Sequence, residues 1–128
     1  MQITIHNHRK LVEIQEEFSK EFPCLKLHFF RKPNKHDEPS VNKLLVADSS
    51  KTIGQCRATD SAGTLSIEPH HTVADMKRNF QKNFGLDVQV YRKVGDNEWL
   101  ETVPDIWSLE KHNTLVTEAN AEDTLVNL

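Results

Sequence analysis

The chain has 128 residues, 37% of them hydrophobic and 27% charged, with 16 Lys and Arg against 19 Asp and Glu and a formal net charge of −3. That is enough chain to bury roughly two thirds of its unfolded surface in one domain, and its charge gives no pull toward nucleic acid or an anionic membrane. No apolar run approaches the ~20 residues that span a bilayer. The two cysteines, Cys24 and Cys56, form no disulfide framework and match no metal or redox spacing. No basic and apolar leader stands at Met1-Gln-Ile-Thr-Ile-His, so the expectation is a soluble cytoplasmic protein with no cofactor.

Ile3 and Ile5 alternate with Gln2, Thr4 and His6, the period-2 pattern of a strand with one buried face. Asn7 is positioned as an N-cap. Leu11, Ile14, Phe18 and Phe22 follow at spacings of 3, 4 and 4, a narrow apolar stripe on a helix that Pro23 ends. Leu25, Leu27 and Phe29 alternate again as a second strand, finishing at Phe30-Arg31-Lys32. Residues 33–42, with two prolines and no apolar pattern, form a mobile surface loop. Lys43–Ala47 reads as a short third strand, Thr52–Arg57 as either a helical turn or a strand, and Asp60–Gly63 as a turn.

The pattern then starts again. Leu65 and Ile67 alternate, Thr72 caps a helix with Asp75 as the capping-box acid, and Val73, Met76, Phe80 and Phe84 repeat the 3, 4, 4 spacing. Gly85 stands where a left-handed C-cap is wanted. Leu86, Val88 and Val90 lead to Tyr91-Arg92-Lys93, and a turn at Val94–Asn97 joins strand 86–93 to strand 98–102 as a hairpin. From first strand to helix end the copies align at an offset of 62, and the second strands at 61. A longer loop in the first copy then lowers the offset to 55, setting Leu45 on Leu100, and one further residue brings Thr52–Arg57 onto Ser108–Asn113. The expected fold is α+β: two tandem β-α-β-β repeats, about 2–61 and 64–119, packed as a single domain over 1–128. Both helices lie on one face of a mixed sheet, and a tail at 120–128 is free to fray. Residues 114–123 are open to extending the helix from Ser108, and Leu125, Val126 and Leu128 after them to either a late strand or fraying.

Residues 55–114, with a leading hairpin around Asp60–Gly63, the Thr64–Pro69 strand, the Thr72-Val73 helix start and the Ser108-Leu109 turn, resemble a ubiquitin-like β-grasp domain. That resemblance implies a binding fold. It assigns no functional residues, and the chain closes on Leu125-Val126-Asn127-Leu128 rather than the Gly-Gly of a conjugated modifier. A ferredoxin-like pair of split βαβ units is the alternative.

Chemistry-bearing residues are sparse. His6, His8, His70 and His71 sit at the same strand-to-helix junction of the two copies and would approach zinc geometry only if a pseudo-axis brought those junctions together. Cys56 has no base marked beside it and reads as a small buried hydrophobe. Arg31, Lys32, Lys35, His36 and Lys43 beside Phe29 and Phe30, echoed by Tyr91, Arg92 and Lys93, could stack bases and hold phosphates. Trp99 and Trp107 are the best anchors for a protein contact. The functional expectation is a non-enzymatic protein-interaction module, with a homodimer through a sheet edge among its partners. A small nucleic-acid-binding domain is the alternative, and a metal- or ligand-binding protein the third reading.

Overall fold

A computed structural model describes residues 1–31, 44–96, 98–102 and 104–114. Its elements are β1 (Gln2–Ile5), α1 (Leu11–Glu21), β2 (Leu25–Arg31), β3 (Leu44–Leu45), a 3-10 turn at Ile53–Gln55, β4 (Gly63–Ser66), α2 (Val73–Phe84), β5 (Asp87–Val94) and β6 (Glu98–Glu101), followed by helical residues 109–114. The fold is α+β. The expected loop 33–42, with Lys32, Lys35, His36 and Lys43, and the tail 120–128 lie outside the described residues.

The expectation of one mixed sheet is corrected. All described pairings are antiparallel and fall into two sheets: β1 with β4, and the order β3-β2-β5-β6. Each half contributes an inner strand to the larger sheet, β2 or β5, and these pair from Leu25↔Arg92 to Phe30↔Asp87. The first strands leave their own halves and pair with each other, from Gln2↔Ser66 to Ile5↔Gly63. This pairing satisfies the facing backbone groups of two four-residue strands. It also removes the leading hairpin around Asp60–Gly63, because β4 has β1 as its partner and residues 57–62 form no strand.

The helix stripes fall where the spacing puts them. Leu11, Ile14 and Phe18 of α1 and Val73, Met76, Phe80 and Phe84 of α2 are buried, in one cluster with Ile3, Ile5, Leu25, Leu27, Phe29, Val88 and Val90. The Phe29 and Phe80 rings meet edge to face at 6.2 Å, joining a strand of one half to the helix of the other. Thr72 Oγ1 accepts the Asp75 N–H at 3.0 Å, and Gly85 closes α2 at φ +64°. The cap of α1 differs from expectation. Lys10, not Asn7, holds the N-cap position, where its N–H donates to the Glu13 carboxylate at 2.7 Å. Asn7 instead accepts from the Gly54 N–H through its carbonyl and from Arg57 Nε through its side chain.

The same long-range bonds occur in both halves. Leu11 N–H donates to Lys51 O and Val73 N–H to Trp107 O; Ile53 N–H donates to Arg9 O and Leu109 N–H to His71 O. Isolated bridges Lys10↔Thr52 and Thr72↔Ser108 complete the correspondence. Beside β3 and β6 the register refines the sequence alignment by one residue. Leu44 lies opposite Arg31 as Leu100 lies opposite Arg92, so Leu44, not Leu45, is the positional equivalent of Leu100. The last turn of each half also ties down the other half. Arg57 Nη1 donates to Phe84 O at the end of α2 (2.7 Å), and Asn113 Oδ1 accepts the Cys24 N–H just after α1 (2.9 Å).

Candidate functional site

Pleating decides which strand residues share a surface, because successive side chains point to opposite faces. Leu25, Leu27 and Phe29 face the core, so Lys26, His28 and Phe30 face out. The register then adds Asp87, Gln89, Tyr91 and Lys93 from β5, Trp99 and Glu101 from β6, and Leu45 from β3. Four rings run diagonally across this face, Phe30 and His28 on β2, Tyr91 on β5 and Trp99 on β6. All four are half-buried. His28 and Tyr91 meet edge to face at 5.0 Å, and Lys26 Nζ lies 4.5 Å over the Trp99 ring. Burial, with Lys26 nearby, lowers the His28 pKa and keeps the ring neutral at physiological pH. Burial and the neighbouring Glu101 carboxylate raise that of Tyr91. Gln89, 7% exposed, lies among the rings with its Oε1 lacking a hydrogen-bond partner. A groove of about 320 Å³ between α1 and β2, lined in part by Gln15, Ser19, Lys26 and His28, adjoins the same face.

The expected basic and aromatic group is therefore split by the pleat. Tyr91, Lys93 and Phe30 share the outer face, but Phe29 is core and Arg31 and Arg92 point to the core side. Arg92 Nε is buried without a partner, as is Nδ1 of the fully buried His112, whose Nε2 is 2.8 Å from Pro104 O. Trp99 and Trp107 do not form one patch. Trp99 belongs to the outer face, whereas Trp107 lies 5.3 Å from the His112 ring with Lys111 Nζ 4.0 Å above it. Lys26 and His28 carry no signal of a shared surface in the sequence, because each is the polar half of an alternating strand. Only the cross-strand register shows that they flank Tyr91 and Trp99.

The histidine junctions are not brought together. Antiparallel pairing of β1 with β4 puts His6 beyond the Gly63 end and His70 beyond the Met1 end of the ribbon, about 13 Å of strand apart. His6 Nδ1 accepts the His8 N–H and His71 Nδ1 the Glu68 N–H, so both serve local turns. Among the described residues no group of three or more His, Cys, Asp or Glu could hold a metal. Cys56 is buried, and burial raises its thiol pKa, the reverse of what a nucleophile needs. A second cavity of about 470 Å³, beside Arg31, Cys56, Arg57, Thr59 and Gly85, has Arg57 along its wall. That guanidinium is committed to Phe84 O and Asn7 Oδ1, and its Nη2 is buried. No helix of the described residues is long and apolar enough to cross a membrane.

No protein-family model matches the chain, and no curated protein or solved structure matches it significantly.

Proposed function

We propose that this chain is a non-enzymatic protein-interaction module of the cytoplasm, built by tandem duplication of a β-α-β-β unit, and that it takes its partner on the outer face of the β3-β2-β5-β6 sheet. The duplication draws its support from the hydrogen bonds that recur between the halves at equivalent positions. The function rests on one observation: Phe30, His28, Tyr91 and Trp99, all half-buried, cross the outer sheet face as a diagonal, among Lys26, Lys93, Asp87 and Glu101. Aromatic anchors at the centre with charges of both signs around them are the anatomy of a protein–protein contact. The test is affinity capture from a lysate with wild-type protein and the Tyr91→Ala/Trp99→Ala double variant, both checked for native circular dichroism. Loss of a captured protein in the variant, by tenfold or more, is the expected result; equal capture by both sinks the reading.

Single-stranded nucleic acid is the second reading, favoured by the same rings beside two lysines. Asp87 and Glu101 on that face leave it without net positive charge, which is why a protein partner is preferred. Retardation of a short RNA at low salt, lost with Tyr91→Ala, would reverse that preference.

A further inference from the structure

Among the described residues, the sheet that carries the aromatic face ends on one side at β6, whose outer backbone is open. Thr102 N–H reaches Val90 O at 3.1 Å, so by antiparallel alternation Glu98, Leu100 and Thr102 turn their peptide groups toward β5. Trp99 and Glu101 then turn theirs outward. Among the described residues nothing bonds those two N–H and two C=O groups. Leu100, 54% exposed, lies between them at the rim. The opposite edge, β3, is only two residues long.

We infer that β6 pairs antiparallel with β6 of a second copy of this chain, in a register centred on Leu100, giving a continuous eight-stranded sheet with two aromatic faces on one side. In that register Trp99 and the partner's Glu101 exchange both backbone bonds, and the two-fold axis repeats the exchange, so all four free groups are used. Leu100 meets its own copy in a non-hydrogen-bonded pair, where side chains approach most closely. The partner's Glu101 carboxylate arrives beside Trp99, next to Lys26 Nζ above that ring and Lys93 on the adjoining strand, so opposite charges meet on both sides of the axis. Centring the pair on Glu101 would set two carboxylates face to face, which disfavours that register. Glu98 lies opposite the partner's Thr102 and meets no like charge.

Four residues a side cover less than the roughly 1,200–2,000 Å² of a stable interface, so the dimer is weak and depends on concentration. Its use is avidity: two coplanar faces bind a repeated or dimeric partner more tightly than either does alone.

Sedimentation equilibrium from low micromolar to near-millimolar protein, with amide exchange at both ends of that range, tests the inference. Average mass is expected to rise toward twice that of the chain while the Trp99 and Glu101 amides become protected. Leu100→Lys, at an exposed position, sets two cations together on the axis and is expected to hold the protein monomeric with an unchanged circular dichroism spectrum. A monomer at every concentration with both amides exchanging freely overturns the inference, as does a dimer that Leu100→Lys leaves intact. Partner capture by the sheet face survives either failure, because the monomer presents the same rings.

Discussion

The two halves of this chain make the same backbone bonds and fill them with different side chains. Cys56 caps the 3-10 turn of the first half and His112 lies within helical residues 109–114 of the second, each near an arginine at the end of an inner strand, Arg31 or Arg92. The thiol leaves the first-half cavity open, whereas the imidazole fills its site, reaches Pro104 O and packs on Trp107. In the loop before that turn, Ser50 closes onto Asp48 Oδ1 in the first half, while the corresponding stretch of the second exposes Ile106 at 72%. Backbone geometry is thus held by the apolar stripes and the turns, and the residues between them are free to diverge.

The comparison can be broken most forcefully at the core. Phe18 and Phe80 occupy equivalent, fully buried positions, so Phe18→Ala and Phe80→Ala are each expected to cost about 3–5 kcal/mol. Both variants should unfold in one transition by Trp fluorescence and by far-UV circular dichroism. A variant in which one half melts and the other persists would show that the halves are separate folding units.

The reciprocal ties come next. Arg57→Ala removes a charged donor to Phe84 O and the bond to Asn7, and is expected to lower stability by roughly 1.5–3 kcal/mol. Asn113→Ala removes one neutral bond to Cys24 N–H, for about 1 kcal/mol. Equal losses in urea titrations would mean that the two ties are not of unequal strength. At the helix ends, Gly85→Ala forces a side chain to φ +64° and puts its Cβ 3.0 Å from Thr59 Oγ1, for about 1 kcal/mol.

The smallest effect at neutral pH sharpens the contrast between Cys56 and His112. Burial, more than Arg92 and Lys111, holds the His112 pKa below its ordinary value, outweighing the Pro104 bond, which raises it. The unfolded chain therefore binds a proton first as pH falls through about 6.5, and stability is lost on acidification. Burial raises the Cys56 thiol, so the unfolded chain ionises first at alkaline pH and stability is lost as pH rises past the ordinary thiol value. Chemical denaturation from pH 5 to 10 should show both slopes, with His112→Gln making the acid limb shallower, the His28 share remaining, and leaving the alkaline limb unchanged. An acid limb unchanged in that variant would place the liability elsewhere.

Much of this was legible in the residues. The 3, 4, 4 apolar spacings placed α1 and α2, Thr72 and Gly85 bounded α2, and the turn after Val94 produced the β5–β6 hairpin, because those signals act within a few residues of themselves. Pairing partners are different. Nothing in Gln2–Ile5 says that its partner is Gly63–Ser66 rather than β2, since an amphipathic strand records only which face is buried. The mixed sheet and the Asn7 cap failed for that reason, each depending on a neighbour more than 40 residues away.

The sequence by itself determined that this chain is α+β, where α2 begins and ends, and that its second half follows the pattern of the first. Only the tertiary structure decided that the first strands of the two halves pair with each other, that Arg92 turns in while Tyr91 turns out, and that Lys26, His28, Phe30, Tyr91 and Trp99 form one surface. The physical reason is that periodicity is written into neighbouring residues, while register is chosen by the whole core at once.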